Sequence, residues 1–232
     1  MKISILTLFP EMFVGPLSES IVKRAIEKNL VSIELVDIRP FGLGSHLMVD
    51  DTPYGGGTGM VLRVDVLHAA IEKARDLTLT PQDEKVILMT ADGSTYNQKK
   101  ALSFAKVKHL IIVCGHYEGV DERIREYIDE EISFGDFVLT GGEIPAMAIT
   151  DSVVRLIPEV LKAGVTENES FSLEEEGSKL LEYPVFTRPP EYLGQTVPGV
   201  LISGDHKKIE KWRIEQAVVK TKRKRPDLLK KE

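Results

Sequence analysis

Three short stretches of this 232-residue chain combine glycines with carboxylates in ways that suit ligand chemistry. The first is Pro53-Tyr54-Gly55-Gly56-Gly57-Thr58-Gly59-Met60, preceded by Asp50 and Asp51. Glycine permits positive φ and lets backbone N–H groups approach a ligand closely. The two aspartates could hydrogen-bond a base or a ribose. No Lys follows and the spacing is not G-x-G-x-x-G, so neither phosphate-binding signature is present. A flexible surface loop explains this stretch equally well. The second stretch runs from Leu110-Ile111-Ile112-Val113 into Cys114-Gly115-His116-Tyr117-Glu118-Gly119-Val120-Asp121-Glu122-Arg123. It reads as a buried strand, a tight turn with the Glu118 carboxylate facing a cavity, and an acidic helix start. In open α/β sheets ligands gather where strands end in this way. The plain alternative is a routine turn with Asp121 capping a helix. The third, Ile132-Ser133-Phe134-Gly135-Asp136-Phe137-Val138-Leu139-Thr140-Gly141-Gly142-Glu143-Ile144-Pro145-Ala146, repeats the scheme of strand, glycine pair and helix start. Its backbone groups suit an adenine edge or an amino-acid moiety.

The elements that must position these turns follow from hydrophobic periodicity. Ile3 to Phe9 reads as a buried strand ended by Pro10, and Val31 to Ile38 alternates like a strand. Val86 to Met89 and Leu110 to Val113 are short apolar strands. Helices are expected over Ser18 to Lys28, Asp65 to Asp76, Tyr96 to Ala105, Asp121 to Ile128 and Pro145 to Leu161, the last with Pro145 in its first turn. Strand and helix in turn argue for an α/β fold with a mostly parallel sheet. Residues 164–182 are polar and lack periodicity, which reads as a linker. A final helix is expected from about Asp205, with Ile209, Trp212, Ala217 and Val219 on one side.

Composition narrows the class. Apolar residues make up 42% and charged residues 28%, which excludes a disordered chain, a collagen-like fibre and a coiled coil. No apolar run approaches the roughly 20 residues of a membrane span. The single cysteine, Cys114, allows no internal disulfide and reads as an inert buried thiol in a cytoplasmic protein. His46, His68, His109, His116 and His206 form no metal-ligand pattern, so a built-in metal site is not expected. The net charge of −6 hides a split. Residues 1–200 carry 19 Lys+Arg and 31 Asp+Glu (−12), and residues 201–232 carry 11 and 5 (+6). A basic segment can meet a polyanion even on an acidic protein, because phosphate affinity follows local charge.

Taken together, Asp50 to Gly57 with Gly59-Met60, Cys114 to Arg123, Gly135 to Glu143, Tyr183-Pro184-Val185-Phe186-Thr187-Arg188-Pro189 and Leu201 to His206 resemble the bacterial tRNA (guanine-37-N1)-methyltransferases. Leu6 to Phe13 fits the same family, and the motifs occur in family order along almost the whole chain. The resemblance implies a SPOUT-type α/β fold: a parallel sheet with a deep trefoil knot, plus a small, mostly helical C-terminal domain. The implied organisation is a knotted methyltransferase domain over 1–163, a linker over 164–172 and a tRNA-binding domain over 173–232. The family is a homodimer with active sites at the interface, and it acts on the tRNA anticodon stem-loop.

The implied reaction is methyl transfer from S-adenosylmethionine to N1 of guanosine 37 when guanosine 36 precedes it. By motif, the methyl donor would meet Gly115, Tyr117, Glu118, Gly119, Phe134, Gly135, Asp136, Phe137, Val138, Leu139, Gly141 and Gly142. Guanine N1 carries a proton that a general base must remove. The family uses an Asp just before Ser-Phe; here Glu169 stands in Asn168-Glu169-Ser170-Phe171, one methylene longer. Arg155 matches an arginine that offsets negative charge growing on guanine O6. Asp50, Gly59 and Arg188 match positions facing the RNA, and Lys207, Lys208 and Lys211 lead a basic set suited to phosphates. His116 departs from the arginine that family members commonly carry. Assistance by Mg2+ is left open. Two other classes remain on the table: a nucleotide-dependent oxidoreductase, disfavoured by the missing G-x-G-x-x-G, and an RNA-binding protein without catalysis, disfavoured by three glycine-acid turns that suit a small-molecule pocket.

Overall fold

Side chains alternate across a strand, so an apolar run that feeds both faces of a sheet needs a covering layer on each side. That is the outcome here. In the computed structural model, which describes residues 1–229, the chain divides into two units, Met1–Leu161 and Lys162–Glu232. Positions 230–232, the end of the expected C-terminal domain, lie outside the described residues.

The first unit begins with β1 (Lys2–Thr7), a 3-10 turn (Pro10–Phe13), a single helical turn α1 (Val14–Leu17) and α2 (Ser20–Glu27). It continues through β2 (Ser32–Asp37), β3 (Asp50–Asp51), β4 (Val61–Leu62), α3 (Val64–Ala74), β5 (Glu84–Thr95) and α4 (Gln98–Phe104). The unit closes with β6 (His109–Cys114), a 3-10 helix (Glu122–Tyr127), β7 (Glu130–Ser133) and α5 (Glu143–Val154). Five strands form one sheet in the order β2-β1-β6-β5-β7. All of its pairings are parallel. Ile3, Ile5, Leu110, Ile112, Ile87 and Met89 point to one face, under α2, α4 and α5. Leu6, Ile111, Val113, Val86 and Leu88 point to the other, under α3. β3 and β4 make a small antiparallel ribbon beside the sheet.

Several expectations shift by identifiable causes. The strand at Val86–Met89 extends to Thr95, because β5 slips register against β7 between Met89 and Ser94 and carries the polar residues Thr90, Asp92 and Ser94 past the apolar run. The helix expected to reach Leu161 ends at Val154; Pro158 follows, and proline disfavours helix at the residue before it. The segment after Asp121 is a 3-10 rather than an α helix, though Asp121 does cap it by accepting from the Arg123 amide. Ser4, His109 and Glu84 form an enclosed polar chain at the amino ends of the strands. Ser4 Oγ meets His109 Nε2 at 2.9 Å, and His109 Nδ1 meets Glu84 Oε2 at 2.8 Å. Burial holds the His109 imidazole below its ordinary pKa, with Glu84 pulling the other way.

The second unit contains two ribbons, β8 (Glu174–Glu175) with β9 (Ser178–Lys179) and β10 (Glu191–Tyr192) with β11 (Gln195–Thr196), then a 3-10 turn (Gly199–Ile202) and the long helix α6 (His206–Lys224). Asp205 caps α6 through the Lys208 amide. Its buried stripe is Ile214, Ala217, Val218 and Thr221, and Val219, expected inside, is 59% exposed. Leu173 and Leu180 pack on that stripe, so two residues of the polar stretch 164–182 belong to the core of the second unit while Glu174, Glu175, Glu176 and Lys179 stay exposed.

The packing of α4 yields a stability prediction. Phe104 is fully enclosed, and Asn97 caps the helix through the Lys100 amide. Urea denaturation should show Phe104→Ala losing about 3–5 kcal/mol, and Asn97→Ala only about 1 kcal/mol.

Candidate functional site

The site is built where β6 and β7 end and β5 bends. A cavity of about 200 Å³ lies there, walled by three segments: Met89 to Ala91, Gly115 to Gly119, and Ile132 to Gly142 in part. Of the residues expected to hold a methyl donor, Gly115, Tyr117, Glu118, Gly119, Phe134, Phe137, Val138, Leu139, Gly141 and Gly142 line it. Gly135 and Asp136 do not: Gly135 is folded back, its amide donating to Ser133 Oγ, and Asp136 faces solvent. Met89, Thr90 and Ala91 were missed, as were His116, Thr140 and Pro145. The signal for the first three was Gly93, whose missing side chain lets β5 bend against the Glu131–Ile132 backbone.

The walls are held by backbone. The Gly142 amide donates to the Gly115 carbonyl at 2.8 Å, and His116 bridges to Gly141. A Cβ on Gly142 would sit 2.8 Å from Cys114 Cα and 2.9 Å from the Gly115 nitrogen, which excludes any side chain there. The β3–β4 ribbon docks on the same turn. Glu118 donates its amide to Met60, and Leu62 donates to Gly119. Gly59, at φ +91°, leaves the space that the Glu118 side chain occupies. The first glycine-rich stretch therefore braces the rim rather than lining the cavity.

The aromatic and charged groups are unevenly placed. Phe134 and Phe137 meet edge to face at 6.4 Å, and the His116 ring packs against Phe9, which Arg39 covers. Burial first, and the Asp50 charge second, raise the Tyr117 phenol. Burial, with the Glu143 charge behind it, pushes the Cys114 thiol well above its usual range, as an inert core thiol requires. Among the described residues lining the cavity none is Lys or Arg, and Glu118 contributes a carboxylate. Also among the described residues, no cluster of three or more His, Cys, Asp or Glu could hold a metal ion. Among the described residues no helix is long and apolar enough to cross a membrane.

Arg155 is the half-buried C-cap of α5 in the first unit, its amide donating to the Asp151 carbonyl. Glu169 belongs to the second unit. Its carbonyl accepts from the Ser172 and Leu173 amides in a turn with Phe171 at φ +72°. Asp50 lies in β3. Arg188 is exposed beside Phe186 and Pro189, and Lys207, Lys208 and Lys211 are exposed on the first turns of α6.

A parallel α/β sheet whose strand ends carry a glycine-walled cavity, with no Lys or Arg among its described lining residues, has the arrangement in which α/β proteins hold small molecules. The family is narrower. Residues 1–231 match the model described as tRNA (Guanine-1)-methyltransferase TrmD. The chain is 52% identical to a tRNA (guanine-N(1)-)-methyltransferase of Desulforudis audaxviator, over 99% of this chain and 90% of that one. It is 50% identical to one from Staphylococcus aureus strain JH9, over 100% of this chain and 91% of that one. A third, from Mycoplasma mycoides, is 49% identical over 99% and 92%. The chain belongs to the tRNA (guanine-1)-methyltransferase family.

The close packing at Gly142 makes a direct prediction. Gly142→Ala should lower affinity for S-adenosylhomocysteine at least tenfold in calorimetry while the far-ultraviolet dichroism stays native, since the added methyl meets backbone rather than a movable side chain.

Proposed function

We propose that this protein methylates N1 of guanosine 37 in tRNAs that carry guanosine at position 36, with S-adenosylmethionine as donor. The observation that carries the reading is the cavity itself: ten of the twelve residues matched to donor binding by motif line one space at the strand ends. Its cation-free wall suits a sulfonium. The fit of the donor is supported by backbone that only glycine permits at Gly142, and by apolar side chains, Phe134, Phe137 and Leu139, that could flank an adenosyl group.

When bound, the donor supplies a methyl group whose bond electrons return to sulfur, leaving S-adenosylhomocysteine. The protein's part is to make guanine N1 a nucleophile. Glu169 takes the N1 proton as the N–CH3 bond forms, so that proton and methyl exchange places on the base. The guanidinium of Arg155 faces the charge that grows on O6 as the proton leaves. Drawing the base out of the anticodon stack gives its N1 edge access to the methyl. Glu in place of Asp keeps the chemistry and lengthens the reach by one methylene.

The second unit is the RNA grip in this reading. It is supported by the exposed lysines at the start of α6 and by Phe186 and Trp212, whose rings lie 6.4 Å apart beside them. We take the methyltransferase domain, 1–163, to coincide with the first unit to within two residues, and the linker, 164–172, and tRNA-binding domain, 173–232, to fall in the second. The trefoil knot accords with the close seating of Gly141 and Gly142 against the turn after β6. A homodimer accords with exposed apolar side chains at Met12, Val14 and Ile144 in the first unit. A cytoplasmic setting accords with the free thiol of Cys114.

Mass analysis of tRNA bearing guanosine at 36 and 37, after incubation with S-adenosylmethionine, should show one added methyl on guanosine 37; unmodified tRNA would refute the reading. Glu169→Ala should reduce single-turnover transfer at least a hundredfold with donor affinity within about twofold of wild type. Replacing Lys207, Lys208 and Lys211 by Ala should weaken tRNA binding and flatten the slope of log affinity against log salt, by up to about 0.9 for each phosphate that is no longer neutralised.

A further inference from the structure

Glu143 is a carboxylate in an unusual place. It opens α5, directly after the glycine pair, yet only 2% of it is exposed. Its Oε1 accepts from the hydroxyl of Thr7, the last residue of β1, at 2.8 Å. Thr7 Oγ1 in turn accepts from the Phe9 amide at 2.9 Å, so its single proton is committed to Glu143. The tie joins residues 136 positions apart, and its donor is neutral. The other carboxylate oxygen abuts Gly141: a Cβ on Gly141 would collide with Glu143 Oε2 and with the His116 ring. Gly141 lines the cavity, so the carboxylate stands immediately behind the cavity wall, in a poorly screened interior. Its field already reaches Cys114, one residue from the cavity lining.

We propose that Glu143 is a positioning residue that uses this buried charge to favour a cationic ligand, the sulfonium donor, over its neutral thioether product. The inference rests on the reading of the cavity as the S-adenosylmethionine site. With no Lys or Arg among the described lining residues, no fixed cation at the wall offsets the negative charge behind Gly141, where the His116 ring is its neighbour, and a ligand positive at sulfur meets it through one residue of backbone. Methyl transfer removes that positive charge, so the same carboxylate loosens the product relative to the donor. A purely structural role would hold the two ligands alike.

The test is calorimetric binding of S-adenosylmethionine and S-adenosylhomocysteine to the full chain and to Glu143→Gln, which keeps the acceptor for Thr7 and removes the charge. The expected result is a loss of about tenfold for the sulfonium and no more than about twofold for the thioether. Equal losses for both ligands, or no loss, would overturn the proposal while leaving the donor site standing. Wild-type protein that bound neither ligand would overturn the reading of the site itself. Thr7→Val provides the second arm and decides the matter if Glu143→Gln does not fold. It breaks the tie but keeps the carboxylate, so the ratio of the two affinities should stay at its wild-type value even if both fall. A ratio that collapsed in Thr7→Val would assign the preference to the hydrogen bond and not to the charge.

Discussion

The site depends on one close approach: the backbone of Gly142 against the end of β6. A 2.8 Å hydrogen bond from its amide to Gly115 joins two segments that are far apart in sequence. Neither side can carry a side chain at the junction, because a Cβ on Gly142 would press on the Cys114–Gly115 backbone. The cavity wall is therefore peptide on two sides, with donors and acceptors fixed by the fold rather than by rotamers. Such a wall needs no reorganisation when a ligand arrives, which reduces the ordering cost of binding. The cost is local intolerance: glycine at 141 and 142 is a packing requirement and not a conformational one, since Gly142 sits in the ordinary helical region at φ −80°.

The charge distribution accords with the division of labour proposed for the two units. A net charge of −6 looks unpromising for an RNA partner. Yet the acidic groups that matter, Glu118 at the rim and Glu143 behind the wall, belong to the first unit, and the exposed lysines open α6 in the second. A small cation and a polyanion ask for opposite potentials, and one fold can offer both only by separating them.

How much of this was legible in the sequence depends on the range of the interaction involved. Strands β1 and β6 are plain as apolar runs, because a buried parallel strand must be apolar on both faces, and β2, at the edge of the sheet, shows instead as an alternating pattern. Asn97, Asp121 and Asp205 act within a few residues of themselves as caps; the sequence reads Asp121 as one, marks Asp205 only as a helix start and passes over Asn97. The glycine turns at 115–119 and 141–142 stood out by composition. The polar second half of β5 was hidden, because a register slip against β7 lets polar residues continue a strand. Leu173 and Leu180 were hidden too: two isolated apolar residues in a charged stretch give no periodicity until α6 supplies the partner surface. The Thr7–Glu143 bond had no sequence signal, since nothing local in either residue announces a partner 136 positions away.

The two ends of the sheet make the same point about residue type and function. At the amino ends, Ser4, His109 and Glu84 are hydrogen-bonded in line at 2.9 and 2.8 Å, an order that would suit an activated nucleophile. Ser4 and His109 are fully enclosed, however, and burial holds the imidazole toward its neutral form, so the chain serves to satisfy polar groups between β1, β6 and β5. At the carboxyl ends the one thiol, Cys114, is buried and held protonated, yet the strands stop, glycines open the backbone and a carboxylate lies under the wall. Chemistry resides where the backbone is accessible and the local field is uncompensated. In this parallel sheet the carboxyl strand ends carry the glycine-walled cavity, whereas the cavity at the amino ends is bordered by a His109 whose side chain is fully enclosed.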